Sequence, residues 1–574
     1  MLALTPPSEC DGGRIPKACL PCARAKVRCE INAGQEGCNR CRRLRKNCAE
    51  QAPGAHRHKT PGKAKVARLE EKLNGVTSIL AASQLVTSGL NPLLPSGTPD
   101  CAPSAWIDIF VRHESEANAM LEIYRSEMQP LFPFVVTFPD ITYTELRQEK
   151  PLFVLAIMMV SCRHDQARQI AIARKLRELI SYTMLVKGER SLDILQCLLV
   201  YLSWYQIHVD LSSQVGNLVH LIMAMTTDLC LNKGNFSPAP AAQALRNPKV
   251  PAPRPNTRTL EERRTFLGAF FLTSIASTCH RDMYPIQHSP YVDECCQAIS
   301  AAAEYSTDID VVHLTRLHGM ADKIFHSLTP DVWQRTPVFG SAPLGACVKS
   351  IQLEMLPLNS SLPAGGGLNF ALHMHYYATE IFLYQTALYD HIGPSRYGTY
   401  PLSRLHILYA CLESTKRCFE TAYTVPPSQW FDLPWSFWSL LGHAIVVLSK
   451  LSLLRFEGWD QADVRRTMDF CGAMDALQQQ LDTAKDWIES QSSQNGHDRS
   501  PRVVPQLYST FSAKLKRVKI AHEAKSTAQP MNVHSTSDSS SSDTLMIPTD
   551  DTFASPSATF FGDFLHESLW EHFT

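Results

Sequence analysis

Six cysteines crowded into thirty residues constrain this chain more than any other feature of it. In CLPCARAKVRCEINAGQEGCNRCRRLRKNC, residues 19 to 48, they form two trios, Cys19, Cys22, Cys29 and Cys38, Cys41, Cys48, each spaced C-x2-C-x6-C. Positions three apart on a helical turn share a face, so each C-x2-C pair directs two sulfurs to one side and the chain can return a third. Zinc takes four ligands in a tetrahedron, so a trio is one short. Two zinc ions need eight metal–sulfur bonds, and six thiolates supply eight when two of them bridge both metals. A single-zinc reading also exists, since Cys19, Cys22, Cys38 and Cys41 alone read C-x2-C-x15-C-x2-C, but it leaves Cys29 and Cys48 unused at matched positions. A disulfide framework is the third alternative. With Val27, Ile31 and Leu44 among its few large apolar side chains, the segment cannot fold by burial alone, and metal must supply the fold.

The opening residues carry no basic flank followed by an apolar run, so no secretion signal is expected. The eighteen cysteines then belong to a reducing compartment, as buried thiols or metal ligands. Formal net charge is zero, yet residues 1 to 68 hold 15 Lys and Arg against 5 Asp and Glu, while the rest hold 40 against 50. That asymmetry predicts an anionic partner for the N-terminus. Around the cysteines stand Arg24, Lys26, Arg28, Arg40, Arg42, Arg43, Arg45 and Lys46. A metal-stapled cationic knot suits double-stranded DNA, because neutralising phosphates releases counterions and Arg or Lys can read guanine in the major groove. RNA binding is the rival, without an aromatic stacking platform to favour it; zinc storage is another, without a use for the basic residues.

ACLPCARAKVRC, the eight-residue loop and CNRCRRLRKNC resemble the DNA-binding module of fungal zinc binuclear cluster transcription factors. The resemblance implies two Zn2+ held by six cysteines, with the first and fourth, Cys19 and Cys38, bridging. It makes Lys26 the reader of a CGG triplet and matches Arg28 to a phosphate contact; the basic residues Arg24, Arg45 and Lys46 beside them are expected as further phosphate or base contacts. Two departures stand out: Ala23 follows the second cysteine where the family commonly has arginine, and the loop EINAGQEG lacks the family's frequent proline.

Residues 49–65 are polar, basic and punctuated by Pro and Gly, a linker by composition that can double as a nuclear import signal. In 66–83, Val66, Leu69, Leu73, Val76 and Leu80 follow the spacing of a coiled-coil seam, which predicts a homodimer, with an amphipathic helix packed on the chain's own body as the alternative. The linker stretches to about 60 Å at most and averages about 20–25 Å as a coil, so it admits many half-site spacings.

Past a second linker, 84–104, the sequence predicts a large all-α domain over 105–522. Residues 192 to 231 read as two helices apolar on most sides, and Thr259 with Glu262 forms a capping box opening the helix LEERRTFLGAFFLTSIAST. Segments 370–392, 402–424, 431–455 and 460–489 repeat the helical pattern. This region resembles the regulatory middle region of the same fungal factors, many of which control secondary-metabolite gene clusters. The apolar run at 437–454 contains His443 and Lys450 and reads as a core helix, so no membrane partner is expected. No nucleophile and base stand together, so no enzyme is expected: His373 and His375 lie on different helix faces, the glycines 365–367 read as a loop, and Cys295 and Cys296 read as buried inert thiols.

The end of the chain, 523–574, is acidic and begins with the polar run STSDSSSSDT, which predicts a disordered Ser-rich linker over 523–558. In 559–574, Phe560, Phe561, Phe564, Leu565, Leu569 and Trp570 alternate with acids. That pattern suits an activation segment contacting a coactivator, or a helix docking on the chain's own core. The expected architecture is a disordered N-terminus (1–18), a small zinc-stapled α module (19–48), a short coiled coil, a large all-α domain and a disordered acidic tail. The expected function is a nuclear regulator, an activator or alternatively a repressor or nutrient-pathway regulator.

Overall fold

The second cysteine trio opens on a five-residue helix, α1 (Asn39–Arg43), whose N-cap is Cys38: its Sγ accepts the Cys41 N–H at 3.4 Å. In this computed structural model, residues 19, 21, 22, 28–30 and 37–48 are described in the first of two compact units, 1–96, and 103–111, 113–207, 214–234, 258–279, 283–328, 344–363, 369–388, 402–494 and 502–527 in the second, 97–574. The expected coiled-coil seam, Val66, Leu69, Leu73, Val76 and Leu80, lies outside the described residues, as do Arg24, Lys26 and the segment 559–574 with Phe560, Phe561, Phe564, Leu565, Leu569 and Trp570.

The second unit is helical, with no strand among the described residues. Its first half runs α2 (Pro103–Phe110), α3 (Glu114–Ile123), α4 (Tyr143–Glu149), α5 (Pro151–Ser161), α6 (Gln166–Ser181), α7 (Leu192–Ser203), α8 (Val215–Asp228) and α9 (Leu260–Cys279). It continues through α10 (Pro290–Ala302), α11 (Asp308–Leu328), α12 (Leu344–Ser361), α13 (Asn369–Tyr384), α14 (Leu402–Tyr423), α15 (Trp435–Leu453), α16 (Gln461–Thr467), α17 (Phe470–Gln494) and α18 (Gln506–Thr527).

Local chemistry sets the helix starts. At α9 the box forms as expected: Glu262 N–H donates to Thr259 Oγ1 at 3.1 Å and Thr259 N–H to Glu262 Oε2 at 2.9 Å. Thr142 and Glu145 make a second box at α4, and Ser191, Asp165 and Asp460 cap α7, α6 and α16. Pro151 opens α5, and the first-turn N–H groups of Leu152 and Phe153 donate to the Asp193 carboxylate of α7, so one acid ties two helix ends together.

Tertiary burial gathers the helices around α15, which contacts α7, α9, α13, α14 and α16 to α18. With 89% of its apolar window buried, α15 is a core helix although it is long and apolar enough to span a bilayer. The apolar segment 192–231 forms α7 and α8, as its pattern predicts. The segment 460–489 divides into α16 and α17, because Asp469 Oδ2 accepts the Gly472 N–H at 2.7 Å and starts a new helix.

Two boundaries need correcting. The acidic tail was expected from residue 523, but α18 continues to Thr527. Its last turns are anchored by His522, whose ring stacks on Phe470 at 4.0 Å while Nδ1 meets Ser449 Oγ at 3.0 Å. The entry to the domain also moves, since α2 begins at Pro103.

Two buried polar clusters fix the packing. Arg264, 2% exposed, is held bidentately by Asp308 at 2.8 and 2.9 Å and by Glu304 at 2.8 Å, locking α9 to the start of α11. Buried Asp432 accepts from Arg163 Nη1 at 2.8 Å and Arg502 Nη2 at 2.5 Å, joining three segments far apart in sequence.

Candidate metal centre

Four buried sulfurs, those of Cys19, Cys22, Cys38 and Cys41, lie within 4.8 Å of one another and could hold a metal ion. Cys19 Sγ is 3.7 Å from Cys38 Sγ and 3.6 Å from Cys41 Sγ, and Cys22 Sγ is 3.6 Å from Cys38 Sγ. With metal–sulfur bonds of about 2.3 Å, a tetrahedral zinc spaces two of its sulfurs about 3.8 Å apart, so these separations fit edges of zinc tetrahedra. Cys29 and Cys48 are half-buried and pack against the four.

The sequence repeat reappears as a hydrogen-bond repeat. Cys19 N–H donates to Cys29 Sγ at 3.4 Å, and Cys38 N–H donates to Cys48 Sγ at 3.2 Å. The short cross-contacts are paired in the same way, Cys19 to Cys41 and Cys38 to Cys22, so that Cys19 and Cys38 each make two of these sulfur–sulfur contacts and Cys22 and Cys41 one. Burial pushes the Cys19 thiol up and the Cys41 thiol up to about 11, while the Cys41 N–H holds Cys38 down to about 6. Thiols held this close lose their protons together only when a cation sits among them, and a divalent metal suits an all-sulfur donor set.

Backbone geometry shapes the rim. Gly37 has φ +83°, and a Cβ there would meet Cys48 Cβ at 3.1 Å, so a side chain would be both strained and crowded. At the other end of α1, Lys46 N–H donates to Cys41 O at 2.9 Å and Arg45 N–H to Arg42 O at 3.2 Å. That is a Schellman ending with Arg45 in the left-handed position, φ +49°, where glycine is the default and a side chain costs about 1–2 kcal/mol.

Of the expected nucleic-acid contacts, Arg28, Arg45 and Lys46 are described, and all three are exposed. Arg28 Nε lies 3.2 Å from Glu30, the only carboxylate among the described residues of this unit. Arg40, Arg42, Arg43, Arg45 and Lys46 gather around α1, and Leu44, 43% exposed, sits among them. The strain at Arg45 and the need for Gly37 went unread in sequence.

In the second unit, His375 is buried and His373 half-buried on α13. Ser274 Oγ meets His318 Nδ1 at 3.0 Å and His318 Nε2 meets His375 Nδ1 at 3.1 Å, a chain across α9, α11 and α13. Burial holds both imidazoles down, His375 to about 3, so both are neutral. No sequence signal links His318 to His375. Cys295 and Cys296 are buried and burial raises both thiols, Cys296 to about 12, as befits unreactive groups.

Comparison with known proteins places these features. The family described as WAR1 C-terminal domain matches residues 104–439, and a second family, described as a C-terminal domain, matches 427–563. Transcription factor opdL of Penicillium oxalicum is 29% identical over 479 residues, covering 79% of this chain and 81% of that protein. Transcription factor himD of Aspergillus japonicus is 25% identical over 471 residues, 79% of this chain and 76% of that one. Transcription factor pbcR of Emericella nidulans is 24% identical over 359 residues, 54% of this chain and 48% of that one. No solved structure gives a significant match. With a cysteine cluster at one end and the WAR1 C-terminal domain over more than half its length, the chain belongs to the fungal transcription factors that carry this domain.

Proposed function

We propose that this chain is a nuclear, sequence-specific DNA-binding regulator, an activator of RNA polymerase II transcription, whose N-terminal module holds two zinc ions through six cysteines. The observation that carries the reading is the duplicated sulfur geometry, two trios with matching N–H···S bonds and tetrahedron-sized separations beneath a basic surface. Cys19 and Cys38 serve as bridges, and Cys22, Cys29, Cys41 and Cys48 as terminal ligands. Bound zinc supplies the fold of the module. The protein's own residues then do the recognition: Lys26 reads a CGG-type half-site, and Arg24, Arg28, Arg45 and Lys46 hold phosphates or bases.

The seam at 66–83 makes a homodimer and the linker at 49–65 tethers each module to its half-site. The helical domain regulates, the segment 559–574 engages a coactivator, and the target is a secondary-metabolite biosynthetic gene cluster. The named relatives, all fungal transcription factors, support the general role.

The test is a titration of the zinc-loaded chain against duplexes with and without CGG half-sites. Lys26→Ala should lose about 1–3 kcal/mol at the preferred site and little on random DNA. Preference for single-stranded RNA in a salt-controlled competition, or the absence of any preferred duplex, would overturn the reading.

A further inference from the structure

The register that lays Cys19, Cys22 and Cys29 onto Cys38, Cys41 and Cys48 also lays Lys26 onto Arg45 and Ala23 onto Arg42. Arginine directly after the second cysteine, missing from the first half, is therefore present in the second. So is a basic residue three positions before the third cysteine. Paired sulfur distances of 3.6 Å and paired N–H···S bonds of 3.4 and 3.2 Å make this register a structural near-two-fold as well as a sequence one.

Arg45 is the residue that this symmetry singles out, and its backbone marks it again. It occupies the left-handed position of the Schellman ending of α1, where a glycine would fit without strain and a long charged side chain does not. Its side chain is exposed, so no burial offsets the strain, and the one carboxylate among the described residues of its unit, Glu30, pairs with Arg28. Backbone strain under an exposed arginine at the tip of a helix points to a contact outside the module.

We propose that Arg45 is a second base-reading side chain. The α1 half addresses the duplex as well as the Lys26 half, with the Arg45 guanidinium donating to a guanine edge beside the triplet. Arginine suits this place better than lysine because its planar fork makes two parallel bonds to one base. This rests on the DNA-binding reading above and adds a second specificity determinant to it.

The experiment uses the full zinc-loaded chain, a duplex carrying its preferred site and a scrambled duplex, with binding followed by fluorescence anisotropy at two salt concentrations. Arg45→Gly relieves the backbone and removes the side chain. It should hold zinc against a chelator at least as well as the unaltered protein, yet bind the preferred duplex about 10- to 100-fold more weakly, with a change of only a few-fold on the scrambled one. Arg45→Asn, which tolerates the left-handed backbone, should match the glycine variant in binding. Arg45→Lys should retain binding to scrambled DNA and lose most of the preference. Selection from a library randomised around the triplet should lose its preference at one base pair in the glycine variant. Equal weakening on both duplexes, with a shallower salt dependence, would make Arg45 a phosphate contact and overturn the proposal, as would binding by Arg45→Gly within about twofold of the original. If the unaltered protein prefers no duplex, the DNA-binding reading itself has failed, which is a different result read without any variant.

Discussion

If the Cys19–Cys38 pair is an edge shared by two zinc tetrahedra, the metals are forced close together. The edge measures 3.7 Å; two zinc ions, each about 2.3 Å from both of its sulfurs, then sit about 2.7 to 3.2 Å apart, the longer value allowing for bridging bonds that lengthen. X-ray absorption at the zinc edge should therefore find an all-sulfur shell near 2.3 Å and a metal–metal vector in that range. Metal analysis should find two zinc ions per chain. Replacing Cys29, which the proposed arrangement makes a terminal ligand, with serine tests the energetics. Apparent zinc affinities of about 10–16 kcal/mol over four sulfurs assign each about 2.5–4 kcal/mol, so Cys29→Ser should weaken retention of at least one zinc by about 100- to 1,000-fold in chelator competition. Cys19→Ser, which removes a bridge, should release both metals together. One zinc per chain, no metal–metal vector, or separate loss of the two ions from Cys19→Ser would refute the shared-edge reasoning.

In the second unit, Asp308→Ala should destabilise the helical domain by about 3 kcal/mol or more in denaturant titration, because it strands buried Arg264 with only the half-exposed Glu304; a loss under about 1 kcal/mol would show the pair to be dispensable. Asp193 is pushed up to about 6, by burial against the pull of the Phe153 and Leu152 N–H groups. A carboxyl that binds its proton more tightly when folded contributes stability below about pH 4 and loses it as pH rises through about 6, by up to about 3 kcal/mol. Asp193→Asn should flatten the pH dependence of unfolding in that window, and parallel profiles for the two proteins would contradict the assignment. Deleting residues 559 to 574 should lower reporter output while leaving site occupancy unchanged; unaltered output would remove that segment from activation.

Several elements were legible because their chemistry is local. The capping box Thr259–Glu262 requires only two residues three apart, and it forms as its spacing predicts. The apolar helix at α15 was readable as core because His443 and Lys450 interrupt it. The end of α18 was misjudged for the opposite reason: a polar, charged sequence gives no hint that His522 finds Phe470 and Ser449 more than fifty residues away.

The same division runs through the candidate site. Cysteine spacing alone determined that two equal trios exist and that three ligands apiece fall short of a tetrahedron, since ligand count and chain reach are properties of the sequence. Only the folded arrangement decided which sulfurs approach one another, that Arg45 stands in a left-handed turn, and that Ser274, His318 and His375 form one chain. Those depend on backbone angles and on contacts between segments distant in sequence, which no local pattern encodes. The clamp of Asp432 by Arg163 and Arg502 is of the same kind, three separate stretches meeting where a buried carboxylate takes two guanidinium partners.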